Sequence, residues 1–297
     1  LPQVCENCYN MMMQILVISD EQTQEEEPQQ AELEATTEQL TLNLSSFSRH
    51  NNSEEDEYLY SPIALQAAGL LAEITRTQGF SNTVDVLNAL LENGLKYKVS
   101  KFFIYETKVI DYGKDVGSVV KFFDTILEAL HSAIQEESNY WAIQELGEII
   151  QAYLSKHQAQ IQQRSPDLLN LLIQTIHVPS IYATDAFIPI GMVCKNYPSV
   201  FVDTTVSEDG QESVPARQII LNALVQALGE VESSDIVYRS SFCLWCIIMA
   251  ISKSSKDEVK SAETIGSEIA QMTPTLLGLL MEAIANFNLS LSARRSC

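Results

Sequence analysis

Leu71-Ala72-Glu73-Ile74, Leu146-Gly147-Glu148-Ile149 and Leu228-Gly229-Glu230-Val231 repeat one four-residue pattern: leucine, a tiny residue, glutamate, a β-branched residue. The copies start 75 and 82 residues apart, close to two units of about 39 residues each, a period in the range of stacked helical repeats. A second echo runs beside the first, in Leu87-Asn88-Ala89-Leu90-Leu91, Leu169-Asn170-Leu171-Leu172-Ile173 and Leu221-Asn222-Ala223-Leu224-Val225. A side chain of one methyl or none at Ala72, Gly147 and Gly229 lets a neighbouring helix approach closely, while the flanking Leu and Ile or Val fill a shared core. The glutamate then points away from that core. The competing reading is a non-repetitive all-helical domain whose short echoes are coincidences.

Turn-forming residues are scarce. The chain of 297 residues has 11 glycines and 9 prolines, about 7% against a usual ~12%, which favours long helices over many short strands. Helical periodicity predicts segments near 60–77, 82–93, 96–110, 116–136, 139–157, 165–177, 183–195, 213–231, 236–253, 257–270 and 273–288. Three of these open on a hydroxyl followed by proline: Ser61-Pro62, Ser165-Pro166 and Thr273-Pro274. The hydroxyl would accept an orphan backbone N–H, and proline at the first helical position gives up a donor that has no partner there. Asn93-Gly94 reads as a helix stop, and residues 198–212 as the longest loop of this part.

The stretches 64–74, 140–149 and 223–231, written ALQAAGLLAEI, YWAIQELGEI and ALVQALGEV, resemble the inner helices of armadillo and HEAT repeats. The resemblance covers residues 60–290 and implies a right-handed α-solenoid of stacked antiparallel helix pairs. It departs from importin-α-like grooves, because neither Trp141 nor Trp245 is followed by Asn four residues on. That departure argues against nuclear-localisation-signal binding.

The charge is uneven. Residues 1–57 hold thirteen acids and one base, Arg49, for a net of −12, out of −21 for the chain. Residues 1–18 read as an N-terminal helix, with Val4, Cys8, Met11, Met12, Ile15 and Leu16 on one stripe. Residues 19–57 have too little apolar surface to offset the cost of ordering, and read as a disordered acidic loop or linker. Residues 58–297 are then the helical-repeat domain. A chain that opens on Leu1 reads as a fragment of a larger product. No run reaches the ~20 apolar residues that span a bilayer, so the expectation is a chain without a membrane span, intracellular, in cytoplasm or nucleus.

Chemistry-bearing patterns are thin. Cys5/Cys8 and Cys243/Cys246 have Cys-x-x-Cys spacing, but 238 residues separate the two pairs, too far in sequence for a zinc-ribbon signature. Cys243-Leu244-Trp245-Cys246 lies within the apolar run 242–251, where cysteines act as small core residues. Glu128-Ala129-Leu130-His131 has the Glu-x-x-His spacing of di-iron bundles, but no second copy exists. His131, His157 and His177 read as solvated or capping histidines. Phosphate-loop, Gly-x-Ser-x-Gly and His-Glu-x-x-His motifs are all missing. Neither a metal nor a cofactor is called for. Lys96, Lys98, Lys101, Lys108 and Lys114 are interleaved with Tyr97, Phe102, Phe103 and Tyr105; this reads as an amphipathic helix with solvated lysines rather than a nucleic-acid surface. An acidic chain repels phosphate and favours basic protein faces.

These readings converge on a non-enzymatic scaffold for protein–protein interaction. The alternative is an acidic transport- or chaperone-type receptor for basic cargo, with Glu73, Glu148 and Glu230 as its binding ridge.

Overall fold

A computed structural model describes residues 62–78, 83–178, 184–206, 213–229, 233–253, 259–286 and 288–297. The expected N-terminal helix at 1–18 and acidic loop at 19–57 lie outside the described residues, as do Ser61 and Glu230. The described chain is almost wholly helical. Its strands amount to one two-residue antiparallel ladder, Thr205–Val206 against Val214–Pro215. Two compact units divide the chain, residues 1–116 and 117–297.

In the first unit, α1 is Pro62–Gln78, α2 is Thr83–Tyr97 and α3 is Ser100–Tyr112. The three pack on one another through apolar positions at helical spacing: Leu71 of α1, Val86 and Leu90 of α2, Phe102 and Val109 of α3 are buried. Gly94 is not the stop its Asn-Gly context predicts. It lies inside α2 and is buried there. A Cβ on it would stand 2.9 Å from Cε2 of Phe103 and 3.2 Å from Cβ of Phe102, so the glycine is needed for packing against α3. The helix ends at Lys98, whose φ of 53° is left-handed. The Val99 N–H then donates to the Gly94 carbonyl at 3.2 Å, which is the long bond of a Schellman C-cap.

In the second unit, α4 is Val116–Gln135, α5 Trp141–Lys156, α6 Ser165–Thr175 and α7 Phe187–Asn196. They are followed by α8 (Pro198–Asp203), α9 (Ala216–Gly229), α10 (Ser234–Lys253), α11 (Val259–Ala285) and α12 (Leu291–Ser296). The expected loop at 198–212 thus contains a short helix that starts on Pro198. The buried Tyr153 of α5 ties to α4 twice, by a ring contact with Phe123 at 4.7 Å and by donating its hydroxyl to the Val119 carbonyl at 2.7 Å. Helix α7 packs on α5, α6, α8 and α10; α10 packs on α7, α9, α11 and α12.

Two of the hydroxyl–proline starts behave differently from expectation. Ser165 is the first residue of α6, not its cap, and its hydroxyl donates to the Gln162 carbonyl at 2.6 Å instead of accepting an N–H. Thr273-Pro274 does not begin a helix. The two segments expected at 257–270 and 273–288 are one helix with Pro274 inside it. Proline's fixed φ is compatible with helix; the cost falls on the lost N–H and on crowding of the Ala270 carbonyl by the ring, and both residues face solvent, where water can reach that carbonyl.

The tiny residues of the repeated pattern do not share one role. Ala72 and Gly147 are buried, and a Cβ on Gly147 would meet only the Asp185 carbonyl, at an ordinary 3.8 Å. Gly229 is exposed at the C-terminus of α9. In the second unit a close helix approach lies instead at Gly191 of α7. A Cβ there would come within 2.8 Å of the Cys243 α-carbon and 3.1 Å of Cys246 Cβ.

Candidate interaction surface

The glutamates expected to form a ridge are placed as follows. Glu73 is exposed on α1 and forms an ion pair with Arg76 one turn on. The hydrogen bond from Arg76 holds its carboxyl below the usual range. Glu148 is exposed on α5, in the other unit. Its charge acts on Arg239 of α10, where it opposes the lowering that burial imposes on the guanidinium. Arg239 also pairs with Asp185, which is buried in the single 3-10 turn that leads into α7. Two of the three glutamates therefore interact with arginines of this same chain, each within its own unit, and Glu230 lies outside the described residues.

The lysines are solvated as expected but do not share one helix: Lys96 is in the last turn of α2, Lys98 caps it, Lys101 and Lys108 are on α3, and Lys114 follows α3. Lys96, Lys98, Lys101, Lys108 and Lys114 are exposed, while Phe102 and Phe103 are in the core. Lys96 lies over the Tyr97 ring at 5.2 Å and Lys108 over Tyr105 at 5.8 Å. Glu106 on the buried face of α3 is the exception. It is fully buried, neither carboxylate oxygen has a hydrogen-bond partner, and burial raises its pKa well above the ordinary value.

Cys194 of α7 joins Cys243 and Cys246 of α10 around Gly191, and all three are buried. Burial raises the thiol pKa values of Cys194 and Cys243 well above normal. Cys246 is raised to about 11 by burial, against a smaller opposing pull from Lys195. Thiols held neutral in this way are core residues, as the apolar run around 243–246 predicts; Cys5 and Cys8 lie outside the described residues. Glu128 and His131 are both exposed. His157 ends α5, its N–H donating to the Tyr153 carbonyl at 2.8 Å, and its ring packs against Tyr153. It is a capping residue, but buried rather than solvated. His177 is exposed. Among the described residues no three His, Cys, Asp or Glu side chains are grouped to hold a metal ion, and no helix is long and apolar enough to cross a membrane.

The surface feature that the sequence reading missed lies on α10. Tyr238, Trp245 and Ile248 are 43%, 46% and 46% exposed, and the half-buried Phe242 stands between them with its ring 5.7 Å from that of Trp245. Lys195 of α7 covers one side of Trp245, its ammonium 5.2 Å from the ring centroid. Positions 238, 242, 245 and 248 share one helical face, opposite Cys243, Cys246, Ile247 and Ala250, which are buried. The signal was present as two interleaved apolar stripes. A continuous apolar run hides which stripe is core.

No protein-family model matches this chain, and comparisons with curated proteins and with solved structures likewise give no match.

Proposed function

We propose that this chain is a non-enzymatic scaffold for protein–protein interaction, its second unit a short α-solenoid of the armadillo or HEAT kind. The observation that carries the interaction reading is the aromatic row on α10. Exposed large apolar side chains standing singly are ordinary, but a contiguous row mixing Tyr, Trp and Ile is the composition of a binding surface. Trp and Tyr are also the residues most often found at the energetic centre of an interface. The solenoid reading draws support from the packing order. Helices α5, α7 and α10 follow one another in contact, and so do α6, α8 and α11. Such a recurrence, in which each helix meets a counterpart further along the chain, is the contact pattern of an array of repeats.

The test is affinity capture with the whole chain as bait, beside a Tyr238→Ser/Trp245→Ser variant. Both positions are exposed, so the variant keeps its fold. A scaffold retains a defined set of proteins that the variant loses. Identical retention by both baits, or no protein retained by either, would sink this reading. The acidic-receptor alternative differs in one respect: its captured proteins would be basic and would wash off with salt.

A further inference from the structure

Helix α11 has a second apolar face, set against solvent. Its inner side is core: Ile265, Leu276 and Ala283 are buried, with Leu276 against Leu228 and Leu244, and Ala283 against Val237 and Leu289. On the opposite side, Ala270, Pro274, Leu277, Gly278, Met281 and Ile284 fall at helical spacing and all are exposed. Leu277 is 55% exposed, Met281 62% and Ile284 48%. A Cβ on Gly278 would meet nothing within 4 Å. The face runs about 21 Å, or four turns, and carries no charged residue between positions 270 and 281.

Three features say what kind of partner would cover it. Glu263 lies in line with the row beyond its N-terminal end, and Glu282 lies on its edge. Both are exposed and neither has an ion-pair partner among the described residues. Pro274 has no N–H, so the Ala270 carbonyl on this same face lacks its helical donor. Residues 117–297 contain 20 acids and 11 bases, a net of 11 − 20 = −9. A second copy of the chain would bring the same surplus and set like carboxylates against each other, whereas a cationic partner meets complementary charge.

We infer that this face of α11 docks one amphipathic helix from a basic partner protein. The partner's apolar side chains seat on Leu277, Met281 and Ile284, and the open space at Gly278 lets its backbone approach closely. Its Lys or Arg side chains reach Glu263 and Glu282 and can donate to the Ala270 carbonyl. This is helix-on-helix packing, with Leu277, Met281 and Ile284 at i, i+4 and i+7 of α11 as its apolar ridge. The inference rests on the scaffold reading and names a surface and partner class for it.

The test uses the whole chain and a labelled synthetic helix of about 18 residues, with Leu at i, i+4, i+7 and i+11 and Lys along both flanks, followed by fluorescence anisotropy. Binding is expected to weaken at least ~10-fold for Leu277→Asp and for Met281→Asp, both at exposed positions that leave the core intact. Glu263→Gln/Glu282→Gln should weaken it several-fold and flatten its salt dependence. A counterpart helix with Glu in place of every Lys should bind at least ~10-fold less tightly. The inference is overturned if the Lys helix does not bind, if the Glu helix binds equally well, or if Leu277→Asp changes nothing. Sedimentation of the chain as a dimer that Leu277→Asp dissociates would assign the face to a second copy instead. If α11 variants are silent while Tyr238→Ser/Trp245→Ser still abolishes capture, the α11 assignment falls and the scaffold reading stands. If capture is absent as well, both fall.

Discussion

Gly191 of α7 lies against Cys243 of α10 so closely that a β-carbon on the glycine would stand 2.8 Å from the Cys243 α-carbon. The obstacle is backbone, with Cys246 Cβ behind it at 3.1 Å, so no side-chain rotation relieves it. In an unobstructed helix, Gly→Ala stabilises by up to about 1 kcal/mol. Here the two helices must separate, and overpacking of that kind costs about 1–3 kcal/mol. Gly191→Ala is therefore expected to lower the urea midpoint, and Gly278→Ala, which meets nothing within 4 Å, to raise it. Equal effects at the two positions would show that the α7–α10 contact is looser than described.

Glu106 gives a pH prediction with a defined sign. Burial without a hydrogen bond raises its folded-state pKa well above the ordinary value of 4.5, so the folded protein holds it neutral. Below the unfolded pKa it costs nothing extra. As pH rises from there toward the folded pKa, the unfolded chain releases the proton and the folded chain does not, and stability falls by about 1.4 kcal/mol per pH unit. Glu106→Met should be the more stable protein at pH 7.5, with an advantage that shrinks steadily toward pH 4.5. A gap that does not change with pH would mean that Glu106 is ionised in the folded state.

The helices of the described chain were legible because periodicity and scarce turn residues are local signals. What failed was the reading of individual glycines and prolines, whose meaning depends on what lies across from them. Asn93-Gly94 has the composition of a stop, but Gly94 is needed by Phe103 of the next helix. Thr273-Pro274 has the composition of a start, and solvent exposure lets the helix run through it. Gly147 and Gly229 belong to the repeated pattern, yet it is Gly191, outside it, whose added β-carbon would strike a neighbouring helix of the second unit. The aromatic row on α10 was hidden for a similar reason, since Trp245 and Cys246 are adjacent in sequence and only packing against α7 assigns one to solvent and the other to core.

The buried thiols provide a probe of the same contact. Cys194, Cys243 and Cys246 are 0% exposed, and their raised pKa values leave little thiolate at pH 8. Maleimide should leave these three unmodified in the folded chain and label them all after denaturation, as read by mass spectrometry of peptides. Gly191→Ala should speed their labelling, because forcing α7 from α10 opens the site that protects them. Rapid labelling of the unsubstituted chain at these positions would contradict the burial.

Lys98 gives the last prediction, and it separates propensity from packing within one turn. Its φ of 53° is left-handed, where an L-residue with a β-carbon is disfavoured by about 1–2 kcal/mol. The position is the C′ residue of a Schellman cap, closed by the Val99 N–H on the Gly94 carbonyl at 3.2 Å, and glycine is the usual occupant there. Its exposed side chain contributes little packing. Lys98→Gly is therefore expected to stabilise, by about 0.5–1 kcal/mol once the greater freedom of glycine in the unfolded chain is subtracted. Gly94→Ala, four residues earlier, should do the opposite despite alanine's better helix propensity, because its methyl would meet the Phe103 ring at 2.9–3.0 Å. Chemical denaturation of the two single variants decides the matter. If Gly94→Ala stabilises, the Phe103 ring does not close on Gly94 as described; if Lys98→Gly does not, Lys98 is not held in the left-handed conformation of the cap.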